Sequence, residues 1–513
     1  MHHIGTSGRL AKSRQRRAIA LAVSSVLIAA SAQASTVQLG TTFEGTSQFD
    51  NFFLDGAFRP PDTMGAIGTT HYVETTNGSI TVYDRSGNVL RREGANTFWQ
   101  RHGQDGSRGD QRVLFDHHTN RWIMNGFCGT TDRVCIAVSD SDNALGNWRT
   151  TSFVGVPGGT ADYPTLALDD KGVYIGTNNF APSFTGTSLF TIPKADLFDG
   201  APSTENMTTF TEPNPPNTRG YAIQGAVNWQ GNADAVTPIL AASLLQYDVH
   251  YYRLSGVDGA GAGRSAVQDL NVEAYTDNGP GRQPDGTRLV DTLDDRISAN
   301  IYEVDGKVYG VHTITPVGGG YTAVRWFVVD AATGALLQEG TIGGGDYDYY
   351  QGAIAVNQYG QAVIGYNRSG FQDGDANGDG LPDGRISFLA QAYTLDGLGL
   401  LSPLGSEFLL RASDVDDYRC GARNIIDTTC RQRWGDYAAV TIDPLDNRSF
   451  WAIGEYAAEW SDYGTTAPLI RATWHTYIAQ LTFDDGTTVP EPGSLALLGL
   501  GLAGLGLSRR RKA

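Results

Sequence analysis

Between residues 373 and 383, oxygen-bearing side chains recur at alternate positions. Asp375, Asn377 and Asp379 are spaced by single residues, Asp383 closes the run, and Gly378 and Gly380 let the chain coil tightly. A hard cation such as calcium takes about six to eight oxygens at ~2.3–2.6 Å. Asp375, Asn377, Asp379 and Asp383, with the Leu381 carbonyl, therefore predict a structural Ca2+ site, and Asp373 adds charge for the ion to neutralise. An EF-hand does not fit, because the twelfth position is Ile386 counted from Asp375 and Gly384 counted from Asp373. The alternative is an Asp/Asn/Gly turn without metal.

A second set is dispersed in sequence. Asp62, Asp110, Asp162, Asp348 and Asp436 each precede a short apolar run, with Arg112, Arg296 and Arg433 near them and Tyr163, Tyr350 and Tyr437 close by. If those runs are equivalent strands, these residues share one end of the fold. Carboxylates crowded together could do glycosidase work, one as an acid of raised pKa and another as base or nucleophile. Arginines could hold an anionic sugar. The catalytic candidates are Asp62, Asp110, Asp162, Asp436, Arg296 and Arg433. Against this, an aspartate at a strand start can bond neighbouring backbone amides and fix register. No HExxH, GxSxG or P-loop is present.

The positioning elements are short strands. The chain holds 64 Gly in 513 residues, and no amphipathic helical pattern persists in its central part. A unit of apolar strand, Asp/Asn/Gly turn and second apolar strand recurs at residues 61–77, 109–127, 161–180, 225–243, 295–313, 350–367 and 435–456. Further strand-like stretches follow several copies. A hairpin plus two strands makes one blade, so the expected fold class is all-β, a β-propeller with seven blades whose first strands line the channel. The tryptophans, including Trp122, Trp148, Trp326, Trp434 and Trp451, read as blade core. The cysteines fall in two close pairs, Cys128 with Cys135 and Cys420 with Cys430, predicting two local disulfides in an oxidising compartment.

The ends are of another kind. Arg9, Lys12, Arg14, Arg16 and Arg17 precede an apolar stretch and Ala32-Gln33-Ala34, which reads as a signal peptide over residues 1–34. Pro490-Glu491-Pro492 is followed by an apolar run, Leu495 to Leu507, and by Arg509-Arg510-Arg511-Lys512. This order resembles the PEP-CTERM sorting signal of Gram-negative bacteria. The resemblance implies a short transmembrane helix within 489–513, a transient inner-membrane anchor and processing by an exosortase, leaving the protein at the cell surface or outside the cell. It also implies association with exopolysaccharide and biofilm matrix.

The propeller domain is then 35–488. Taking away the five leader cations, and the four cations and Glu491 of the tail, moves the net charge from −17 to −25. Such an acidic chain is a poor ligand for nucleic acid. Stretches 60–78, 112–124, 134–148, 162–180, 433–444 and 450–456 resemble a family of exported bacterial propeller proteins. That resemblance supports architecture and secretion and carries over no catalytic residue. The favoured function is a calcium-binding module for extracellular polysaccharide or a surface protein. The alternative is a sialidase-like glycoside hydrolase or lyase of extracellular polysaccharide.

Overall fold

In five of the seven recurring units an Asp or Asn at the end of the first strand sets the turn that folds the second strand back. Asp116, Asp169, Asn228, Asn357 and Asp443 each accept a hydrogen bond from the backbone N–H two residues on. This local bond is what makes these residues frequent at turns. In the computed structural model the described residues are 36–484, apart from 216–217, 244–246, 285, 287, 376–377, 379–381, 419–431 and 460–471. The leader and the sorting tail lie outside them. So do Cys420 and Cys430, and Asn377, Asp379 and Leu381 of the expected calcium loop.

Strand dominates the regular structure and is arranged as a succession of mainly antiparallel sheets. Met64–Ile67, His71–Thr76, Ser79–Asp84 and Val89–Gly94 form one. Ser107–Asp116, Arg121–Cys128, Arg133–Ser139 and Trp148–Val154 form the next. In the third, Thr160–Asp162 and Ala167–Leu168 both pair with Gly172–Phe180, followed by Phe184–Pro193 and Thr208–Pro213. Tyr221–Val227, Val236–Ala242 and Val249–Ser255 follow, with short outer strands at Gly263–Arg264 and Gln268–Leu270.

Ile301–Val304 pairs in parallel with Tyr221–Val227 and continues into Lys307–Pro316, Ala323–Asp330 and Leu336–Ile342. Tyr347–Val356, Gln361–Gly370, Ser387–Leu395 and Leu401–Ala412 come next. The last sheet is mixed in origin. Ala439–Ile442, Phe450–Glu459 and Ala472–Asp484 are joined at the outer edge by the first strand of the chain, Thr36–Ser47, with Thr36 opposite Asp484 and Ser47 opposite His475.

The recurring unit is thus the first hairpin of each sheet. Inner strands are buried on both faces because each sheet is covered by its neighbours, which gives uninterrupted apolar runs such as Met64–Ile67. Outer strands alternate, as in Thr208–Pro213. The expected all-β, propeller-like arrangement is what the sheets build. First strands pack beside one another: Met64–Ile67 touches both Ser107–Asp116 and Ala439–Ile442, and Tyr347–Val356 touches Ala439–Ile442. Trp122, Trp148, Trp326, Trp434 and Trp451 are buried as core. Cys128 and Cys135 are bonded across neighbouring strands.

Glu74 fastens the closing strand. Its buried carboxylate accepts from the Thr46 hydroxyl (2.8 Å), the Tyr83 hydroxyl (2.6 Å) and the Thr476 hydroxyl (2.5 Å). One side chain therefore links the first strand, the first sheet and the last strand. A buried carboxylate is tolerated because its oxygens are met by donors.

Candidate functional site

Several inner strands enter the fold through a bulge. Register slips by a residue between Gly109 and Arg112, Tyr221 and Gln224, and Tyr350 and Ala353. The bulged residues Asp110, Ala222 and Gln351 have φ of 59°, 48° and 52°, and Asp62 and Tyr163 share this left-handed backbone at 52° and 56°. A non-glycine residue there is costly, so neighbouring sheets must hold it. Asn side chains on second strands do so. Asn77 accepts from the Asp110 N–H (2.8 Å), and Asn178 accepts from the Ala222 N–H (2.9 Å). Asn125 donates to the Thr165 carbonyl (2.8 Å), and Asn367 to the Glu455 carbonyl (2.9 Å). Each bond runs from one sheet to the next.

These bulges bring four of the candidate aspartates together. Asp62 accepts from the Asp436 N–H (3.0 Å) and from the Asn77 amide (2.6 Å). Asp110 accepts from the Tyr437 hydroxyl (3.2 Å). Arg433 grips both carboxylate oxygens of Asp436 at 2.8 and 3.0 Å. Burial, with repulsion from Asp436 and Asp110, raises the Asp62 pKa well above the usual carboxylate range. Burial, then Asp162 and Asp436, pushes Asp110 up to about 7. Burial raises Asp162 too, against the pull of Arg296.

The arginines do more than balance charge. The Arg112 guanidinium lies 4.0 Å from the Tyr437 ring centre and 5.4 Å from that of Tyr163. Arg296 lies 4.3 Å from Tyr163 and 5.5 Å from Tyr221. Tyr437, Arg112, Tyr163, Arg296 and Tyr221 thus make an alternating stack. Arg112 is fully buried, and its guanidinium nitrogens have no hydrogen-bond partner among the described residues. Arg296 is neutralised by Asp294 through bonds of 2.6 and 2.7 Å.

Asp348 lies apart from this group. It accepts from the Arg282 and Thr322 N–H groups at 2.8 and 3.0 Å and from the Arg282 guanidinium at 2.9 Å. Tyr350 bonds Ser369 (3.0 Å). Of the expected metal ligands, Asp375 accepts from the Gly378 N–H (2.7 Å), and the Asp383 N–H donates to the Gly374 carbonyl (2.8 Å).

Beside the aspartate group is a polar pocket of ≈ 700 Å3 between the first two sheets and the helix Ala95–Arg101. Asp55, Phe58, Asn77, Asn96, Gln100, Asp105, Arg108 and Asp110 are among the residues that line it. The pocket, Asn77, Tyr221 and the Asn bridges were not singled out from sequence. The Asn signal was there to find, since Asn ends the second strand in several copies of the repeat.

Comparison with known proteins decides the tail. Residues 488–512 match the PEP-CTERM protein-sorting motif. The tail is a PEP-CTERM motif. It marks an exported protein sorted to the cell envelope and implies processing by an exosortase. No curated protein matches the chain. Among solved structures the chain is similar to a Dos1 propeller, at 9% identity over 86% of this chain and 94% of that one, with a TM-score of 0.36. It is similar to Kuenenia stuttgartiensis hydrazine synthase at 10% identity, over 77% and 93%, with a TM-score of 0.39. A third is a GH43 endo-arabinanase from Bacillus licheniformis, at 12% identity over 55% and 93%, with a TM-score of 0.28.

Proposed function

We propose that residues 35–488 form a seven-bladed propeller that binds extracellular polysaccharide or a surface protein after PEP-CTERM sorting. The observation that carries this reading is the ≈ 700 Å3 pocket beside Asp110, lined by carboxylates, amides, hydroxyls and Arg108 with one aromatic residue, Phe58. Planar amides and carboxylates suit hydroxyl-rich ligands, because each side chain offers paired donors or acceptors. Asp62 supports an architectural role for the aspartates, since both its oxygens are engaged by neighbouring residues. The loop 375–383 takes Ca2+ in this reading and serves to rigidify the surface between Gly370 and Ser387.

A second reading has one observation in its favour. Asp110 is held near pH 7 beside further carboxyls, the condition a glycosidase acid requires. Asp62, Asp162 and Asp436, with Arg296 and Arg433, would complete that site. One experiment separates the two. Residues 35–488, purified with calcium, are incubated with exopolysaccharide of the producing strain, and retention and new reducing ends are scored together. Retention without new ends in wild type, weakened in Asp110→Asn, supports binding. New ends lost in Asp110→Asn or Asp436→Asn make it an enzyme. Neither signal removes polysaccharide as the partner.

A further inference from the structure

The turns that end the inner strands enclose a second cavity, of ≈ 160 Å3, at the opposite end of those strands from the aspartates. His117, Trp229, Glu303, Asn357, Gln358 and Asn447 line it, contributed by five of the recurring units. Its wall is an aromatic pair: His117 and Trp229 stack at 4.4 Å with an interplanar angle of 4°. Tyr302 also lines it, and its hydroxyl reaches the Val440 carbonyl (3.0 Å), linking Ile301–Val304 to Ala439–Ile442.

Glu303 is the unusual member. Its carboxyl is half-buried, and the partner that holds it is a neutral one, the Asn228 amide at 3.1 Å. No lysine or arginine is among the residues lining the cavity. His117 is not a counter-charge, because burial lowers its pKa to about 4. Burial accordingly raises Glu303 to about 7. A half-buried carboxyl beside an aromatic face and without a cation gains from an incoming ammonium group.

The size and the remaining groups narrow the ligand. Drug-sized pockets occupy ~300–1,000 Å3, so ≈ 160 Å3 suits one ring. Gln358 and Asn447 present amide groups suited to ring hydroxyls, while the Asn357 amide is taken up by Gln361, Tyr359 and Arg448. An adjoining hollow of ≈ 320 Å3, lined by Asn228, Asn232 and Arg253, shares Glu303 and leaves room for a neighbouring unit of a chain. Arg253 makes no ion pair with Glu303 among the described residues.

We propose that this end of the propeller is a binding site for an amino sugar, whose ammonium pairs with Glu303 while its ring lies against Trp229. The site is separate from the Asp110 pocket, and either can fail without the other.

The test is calorimetric titration of the full chain in detergent with a glucosamine trimer, an N-acetylglucosamine trimer and maltotriose. The expected result is binding of the glucosamine trimer at least about tenfold tighter than of either neutral trimer. Glu303→Gln keeps the shape and removes the charge, and should weaken that binding by about 30-fold or more. Gln358→Ala, on an exposed turn, is the second variant and should weaken glucosamine binding a few-fold should Glu303→Gln fold poorly. Equal affinity for charged and neutral trimers overturns the proposal, as does unchanged affinity in Glu303→Gln or no binding of the glucosamine trimer.

Discussion

Replacing Asp110 by Asn should stabilise the protein in alkali and do little in acid. Burial and the neighbouring Asp162 and Asp436 hold the Asp110 carboxyl at about 7, against an ordinary 3.8. The folded pKa is above the unfolded one, so the native state keeps a proton that the unfolded chain has released. The stability linked to this group is fully present below about pH 4 and is lost as pH rises through 7. At ~1.36 kcal/mol per pH unit the gap corresponds to a ceiling of about 4 kcal/mol. Asp110 is only partly covered, being open to the adjoining pocket. Solvent screening therefore trims the expected gain to roughly 1–3 kcal/mol. Asparagine keeps an oxygen to accept from Tyr437. Urea unfolding of residues 35–488 from pH 4 to pH 9 measures the effect. The variant and wild type should coincide near pH 4, diverge between pH 4 and pH 7, and stay apart above it. Parallel profiles, or a variant less stable at pH 9, would refute the idea that the aspartates are packed against their own repulsion.

Other outcomes follow from single contacts. Lys194 is 6% exposed and bonds Asp116 and the Asp169 carbonyl, both at 2.7 Å. Lys194→Met should cost about 3–5 kcal/mol by stranding Asp116. Over a unit of roughly 450 residues, at ~2.1 cal/mol/K per residue, that lowers Tm by about 3–5 °C, and adding Asp116→Asn should recover part of it. Asn178→Ala leaves the buried Ala222 N–H without its acceptor, for a loss of about 1–3 kcal/mol read by urea unfolding. Replacing Cys128 and Cys135 together by Ser opens a short covalent loop, and thermal unfolding should show a loss of about 2–3 kcal/mol. Millimolar calcium should raise the melting temperature above that in excess chelator, and identical values would remove a structural role for the loop at 375–383.

The sequence carried the repeat because local forces wrote it. Strands buried on both faces tend to be continuously apolar, as Met64–Ile67 and the stretch from Ala353 to Val356 are, and an Asp or Asn holds the backbone of most of the reversing turns. Those constraints act within about 20 residues, so the unit, the all-β class and the strand starts at Asp62, Asp110, Asp162 and Asp436 could be read directly. The sorting tail was legible for a similar reason, since motif, apolar run and basic end are contiguous.

What tertiary structure decided was which of these residues meet, and with what. Nothing local says that Asp436 donates its N–H to Asp62, that Arg112 stacks on Tyr437, or that Asp348 is taken up by Arg282. Nor could spacing reveal that Glu303 and Trp229 share a cavity. By itself the sequence determined the strands, their turns and the address on the tail. The assembled sheets determined the contacts, because a side chain's partner on a neighbouring sheet is set by bulges and packing between segments tens to hundreds of residues apart.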